Sequence, residues 1–206
     1  MKRYALFFVT VFIALTAGMS SAETPKQIGP FILNALITDF EKFVSMETAL
    51  PVRYMEYVHE VEIKRIKGFK SGLVAYTTCE EPGRIVRIKL KYADSTKKFY
   101  QNLIKRIEKR YGKSEEYRGD PFHVVVAWKW SFLDKDKNRI SLILQHNSRD
   151  EDEKMGNSIK LTLTSQIDKY KNCYEEKRTK ANGEKNKSVK EIEIPELIGW
   201  DLFVPR

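Results

Sequence analysis

Two cysteines and three histidines are the residues of this 206-residue chain best equipped for chemistry beyond packing. Cys79 and Cys173 stand far apart, with no CxxC spacing and no Cys/His clustering. That is the spacing of a structural bridge, with two free thiols or a metal site as the less favoured readings. A bridge would close a loop of about 95 residues, worth roughly 4–5 kcal/mol by chain-entropy arguments. His59, His123 and His146 are neither clustered nor at i, i+4 spacing, so no metal site is expected. His146 shares the inward parity of its segment and reads as a core histidine.

The acidic turns are weaker candidates. Asp134-Lys135-Asp136-Lys137-Asn138 opens like a calcium-binding loop. Its sixth position needs glycine and holds Arg139, and its twelfth needs a bidentate carboxylate and holds Gln145. A solvated hairpin turn is the better reading. Residues 149–153 form a second acidic turn whose adjacent side chains would splay outward. No GxSxG, SxxK or glycine-rich phosphate loop is present. A catalytic reading therefore has to assemble dispersed groups, with Asp120, His123, Glu56 and His59 as its candidates. No cofactor is implied.

Cations supply the more coherent pattern. Arg87, Lys89 and Lys91 alternate with Val86, Ile88, Leu90 and Tyr92, so a strand there turns all three to one side. Lys129 and Lys160 hold the same outward parity in their own segments. If those strands lie near one another, the five form a cationic face for an anionic ligand or partner. Ordinary protection against sheet aggregation is the competing explanation, since lysines blunt exposed sheets.

The elements that must carry these residues follow from periodicity. Residues 28–33 read as a short edge strand broken by Pro30. Thr38 caps a short helix over 39–45, and Pro51 breaks the pattern after it. Alternation predicts strands over 57–66, 72–79 and 84–92, the last two joined by the turn Glu80-Glu81-Pro82-Gly83. Asp94-Ser95 offers a helix cap. Phe99, Leu103, Ile107 and Tyr111 make an apolar stripe that Gly112 terminates. Three more strands are expected over 123–133, 139–147 and 157–165, then a helix over 166–180. The expected fold is α+β, two-layered, with a mostly antiparallel sheet of about six strands and helices on one face.

The two ends of the chain differ from the middle. Lys2 and Arg3 precede an apolar run from Ala5 to Ala17, and Ser20-Ser21-Ala22 is small enough for signal peptidase. Residues 1–22 read as a cleaved signal peptide, too short for a membrane anchor, and the product as periplasmic with no transmembrane span. Losing two cations with the leader leaves a net charge of +7 on the remainder. Export argues against nucleic acid as the anionic partner. Residues 23–180 are expected to form a single domain. Residues 181–206 then begin as a polar linker and end apolar, with Ile194, Leu197, Trp200, Leu202 and Phe203 as a candidate partner segment.

The stretches ETALPVRYMEY (47–57), RIVRIKLKYADSTKKFY (84–100) and YRGDPFHVVVAWKWSF (117–132) resemble a family of exported bacterial proteins with no assigned function. The likeness runs from Ile28 to about Glu176 and implies export without transferring any catalytic residue. The element order alone resembles that of class I type III secretion chaperones, an analogy of fold and not of role. The expectation is a non-catalytic periplasmic binding or adaptor protein for another envelope protein or an anionic envelope component. The alternatives are an enzyme with a dispersed site and a structural subunit of an envelope assembly.

Overall fold

The computed structural model describes residues 24–147 and 156–185. The leader, the acidic turn over 149–153 and the apolar segment containing Ile194, Leu197, Trp200, Leu202 and Phe203 lie outside the described residues.

The chain begins with a two-residue hairpin, β1 (Gln27–Ile28) and β2 (Phe31–Ile32), turned by Gly29-Pro30. Gly29 has φ +57°, a left-handed value that costs glycine little. A 3₁₀ helix follows (Ile37–Phe43), then β3 (Val44–Val52), β4 (Met55–Ile63), β5 (Phe69–Thr77) and β6 (Ile85–Tyr92). Helix α1 (Lys97–Tyr111) leads to β7 (Glu116–Tyr117), β8 (Val125–Leu133), β9 (Arg139–Asn147) and β10 (Asn157–Leu163). Helix α2 (Thr164–Lys185) ends the described chain.

The main sheet has eight antiparallel strands in the order β3-β4-β5-β6-β10-β9-β8-β7. It is two meanders joined where β6 pairs with β10. Two of its strands are absent from the sequence reading. β7 is only two residues long, too short for periodicity to show. β3 carries register shifts between Ser45 and Leu50 and between Pro51 and Val52, and bulges erase strict alternation.

One face of the sheet is covered. A single row, Val61, Val74, Ile88, Leu161, Leu142 and Trp130, crosses six strands, each residue at most 2% exposed. Burying a side chain of this size stabilises by about 1.5–3 kcal/mol, so this row is the backbone of the core. Phe31, Leu33, Ile37 and Phe40 of the N-terminal segment pack on it together with Tyr100 and Ile107 of α1. The Oγ1 of Thr96 caps α1 by accepting from the Phe99 N–H at 3.2 Å, one residue beyond the expected Asp94-Ser95. Gly112 ends the helix at φ +86°. Its carbonyl accepts from Trp130 Nε1 at 2.9 Å, which ties the helix end to β8.

The expectation that the helices share one face fails. α2 crosses one end of the opposite face, where Tyr170 is buried among Val58, Ala75, Cys79 and Val86. Val86 explains why. Pairing jumps from Ala75–Arg87 to Tyr76–Ile85, leaving Val86 as the extra residue of a bulge. Ile85 then joins the covered-face core and Val86 turns to α2, whereas unbroken alternation would put Val86 beside Ile88. The arrangement is therefore three layers at one end of the sheet and two elsewhere. α2 also continues as helix beyond residue 180, where a polar linker was expected to begin.

Cys79 and Cys173 are joined, with Cα atoms 6.3 Å apart and a sequence separation of 94. The bridge fastens α2 to the end of β5. No helix among the described residues is long and apolar enough to cross a membrane.

Candidate anion-binding face

Beyond α2, no other described element packs on the second face of the sheet. Two rows of side chains cross it. One runs Glu62, Leu73, Lys89, Lys160, Ile143, Lys129 and Glu116; the other runs Glu60, Ala75, Arg87, Thr162, Ser141 and Ser131. All five predicted cations are therefore on one face, with Lys91 opposite Ser158 at its margin. The sequence placed the cations on the correct side of each strand. Only the β6–β10 pairing brought the two groups together.

At the centre of this face Lys89 and Lys160 are direct cross-strand partners on the two middle strands. Like charges facing each other across a strand pair destabilise a sheet. Lys160 is half-buried and Lys89 is exposed. Burial first, then Arg87, Lys89 and Arg118, push the Lys160 ammonium below its ordinary pKa. Among the described residues no carboxylate lies within ion-pair distance of either lysine.

The flanking cations are partly neutralised. Arg87 meets Glu60 at 3.5 Å, while Lys129 and Arg118 share Glu116 at 3.1 and 2.8 Å. Hydrogen bonding to Lys129 lowers the Glu116 carboxyl, so it stays charged. A cleft of about 780 Å³ opens beside Lys160, lined by Arg118, Lys129, Gln145, Ser141 and Ile143, with Leu133 at its edge. Arg118 was missed in the sequence reading because it lies outside any periodic segment, just past β7. The floor thus combines cations, hydroxyls and some apolar surface. It can hold an anionic group by charge and hydrogen bonds.

The remaining candidates are spent on structure. Asp120 accepts backbone N–H groups from Phe122, Val124 and Val125, which lower its carboxyl and close a turn. His123 sits beside it at φ +55°, its Nδ1 3.0 Å from the Tyr117 hydroxyl. Glu56 lies on β4 at the other side of the sheet, accepting from the Tyr174 hydroxyl at 2.6 Å. His59 packs edge-on to Tyr76. The four do not form one site. Asp134 accepts from the N–H groups of Asp136 and Asn138 and pairs with Lys26 at 2.8 Å, so the calcium-like turn is a closed hairpin. Among the described residues no cluster of His, Cys, Asp and Glu could hold a metal ion.

His146 is the core histidine its parity predicts, 6% exposed. Asn157 donates both amide hydrogens to the carbonyls of Asp94 and Thr96, at 2.8 and 2.9 Å. Its Oδ1 is left to accept from His146 Nδ1 at 2.7 Å. This polar cluster fastens the start of α1 to the sheet, with Tyr100 stacked on the imidazole. Burial, then Tyr117 and Glu108, push the Tyr100 hydroxyl up to about 12. No family model, no curated protein and no solved structure matches the chain.

Proposed function

We propose that this is a non-catalytic periplasmic binding or adaptor protein that holds an anionic ligand on the open face of its sheet. The observation that carries this reading is the facing of Lys89 and Lys160 at the middle of the sheet, with no described carboxylate within ion-pair distance of either, while the flanking Arg87 and Arg118 are held by Glu60 and Glu116. A face that served only solubility would set these two lysines apart or give them a carboxylate, as it does for Arg87, Lys129 and Arg118. Local instability kept at the centre of a fold is characteristic of a site that a ligand completes. Export to the periplasm, membership of the resembled exported family and an envelope component as the ligand belong to the same proposal.

The test uses two probes, vesicles containing phosphatidylglycerol and a fluorescent peptide of alternating glutamate and isoleucine. Lys160→Met should weaken binding of the accepted probe about tenfold, the scale of one lost charged contact of about 1.4 kcal/mol. It should also raise the melting temperature, since each kcal/mol relieved shifts a chain of this size by about 2–4 °C. Binding of both probes that is indifferent to Lys160→Met, or unchanged between low and high salt, would remove the reading.

A further inference from the structure

The open face has a candidate occupant within the same chain. Residues 191–204 contain Glu191, Glu193, Glu196 and Asp201 with no lysine or arginine among them. Interleaved are Ile192, Ile194, Leu197, Ile198, Trp200, Leu202, Phe203 and Val204. So much apolar surface on one short stretch is rarely left in water. The covered face of the sheet is already filled by the N-terminal segment and α1. What remains is the open face, whose cleft pairs Lys160, Lys129 and Arg118 with Ile143 and the exposed Leu133. Acidic and apolar on the segment answer cationic and apolar on the cleft.

Reach permits it. α2 starts at the cleft with Thr164 and spans 22 residues, about 33 Å at the helical rise. Returning along the helix takes about ten extended residues, so the chain from residue 196 onward can lie in the cleft.

We propose that residues 196–204, with Glu196 and Asp201 among Leu197, Ile198, Trp200, Leu202, Phe203 and Val204, dock in the cationic cleft of their own chain and compete there with the external anionic ligand. This rests on the reading of that face as an anion site. The segment then acts as a tethered competitor, its local concentration set by the link from α2. An external partner must displace it, so that only ligands with comparable charge and apolar surface are held.

Two measurements on the full-length protein test this. A benzophenone side chain introduced at Trp200 and activated by light should cross-link within one chain to residues of β8, β9 or β10. Cross-links formed only between two chains, or only to α1 and the N-terminal segment, overturn the proposal. So does the absence of any cross-link. Glu196→Gln combined with Asp201→Asn should raise affinity for the glutamate–isoleucine peptide about three- to tenfold by weakening the competitor; unchanged affinity overturns it. The two readings fail separately. If Lys160→Met leaves probe binding intact, the anion site is wrong whatever the cross-links report. If Lys160→Met abolishes binding while the Trp200 probe reacts elsewhere, the site stands and the tethered occupant does not.

Discussion

At the scale of single residues, the acidic groups divide by what holds them. Asp134 is 7% exposed, and its environment contains opposing effects. Burial alone would raise its carboxyl, but the hydrogen bonds from Lys26 and Asn138 outweigh it and bring the pKa from 3.8 to about 2. The folded value lies below the unfolded one, so the stabilisation is complete above about pH 4 and is lost as pH falls through 2. A shift of that size corresponds to about 2 kcal/mol. Urea unfolding at a series of pH values should show this loss in the native chain. Asp134→Asn should be less stable near neutrality by a similar amount and should flatten the profile between pH 4 and 2. An unaltered acid limb in that variant would show that Asp134 does not anchor the turn. Lys160 has the opposite sign: its lowered pKa means that its charged form is tolerated by the fold rather than favoured, in keeping with a group that awaits a counter-charge.

At the scale of elements, α2 depends on few contacts. Its buried residue Tyr170 sits in a small satellite cluster with Ile167, Cys173 and Tyr174 packed around it, separate from the main core. Its surface ion pairs, Lys169 with Glu80 and Arg139 with Asp168, are exposed and contribute little. The disulfide is therefore the principal fastening. Reducing it, or replacing Cys79 and Cys173 with serine, should cost about 4 kcal/mol in urea unfolding. Hydrogen exchange should then quicken in α2 far more than in the Ile88 and Leu161 strands. Equal quickening in both would mean that α2 and the sheet unfold as one unit. β5 shows a second dependence of an element on its neighbours. Gly72 lies where a Cβ would come within 2.5 Å of Leu90 Cδ2 and 2.7 Å of the Lys89 carbonyl oxygen, so β5 can approach β6 only with glycine there.

At the scale of the whole molecule, the charge distribution sets a further expectation. Lys89, Lys160, Arg87 and Arg118 converge on one face, and screening shortens their mutual repulsion to about 10 Å at 0.1 M salt. Adding sodium chloride to the ligand-free protein should raise its melting temperature, and the rise should shrink in Lys160→Met. A melting temperature that falls with salt would mean that the pairs with Glu60 and Glu116 outweigh the repulsion.

Much of this molecule was written in local pattern. The strands β4, β5, β6, β8, β9 and β10, the helix α1 with its Gly112 stop, the inward histidine His146 and the outward side of each cation all follow from period and cap chemistry, which act over a few residues. The pairing of Cys79 with Cys173 was also predictable, because two cysteines with neither CxxC nor Cys/His clustering have one bridge to make. The tertiary structure alone decided the rest. It set β6 against β10, so that Lys89 faces Lys160, and it set α2 on the face opposite α1, where the bulge turns Val86 to meet it. Both depend on which strands meet and in what register, and those are contacts between residues about seventy to ninety positions apart. Side-chain period reports which way a residue points; it carries no information about what stands across from it.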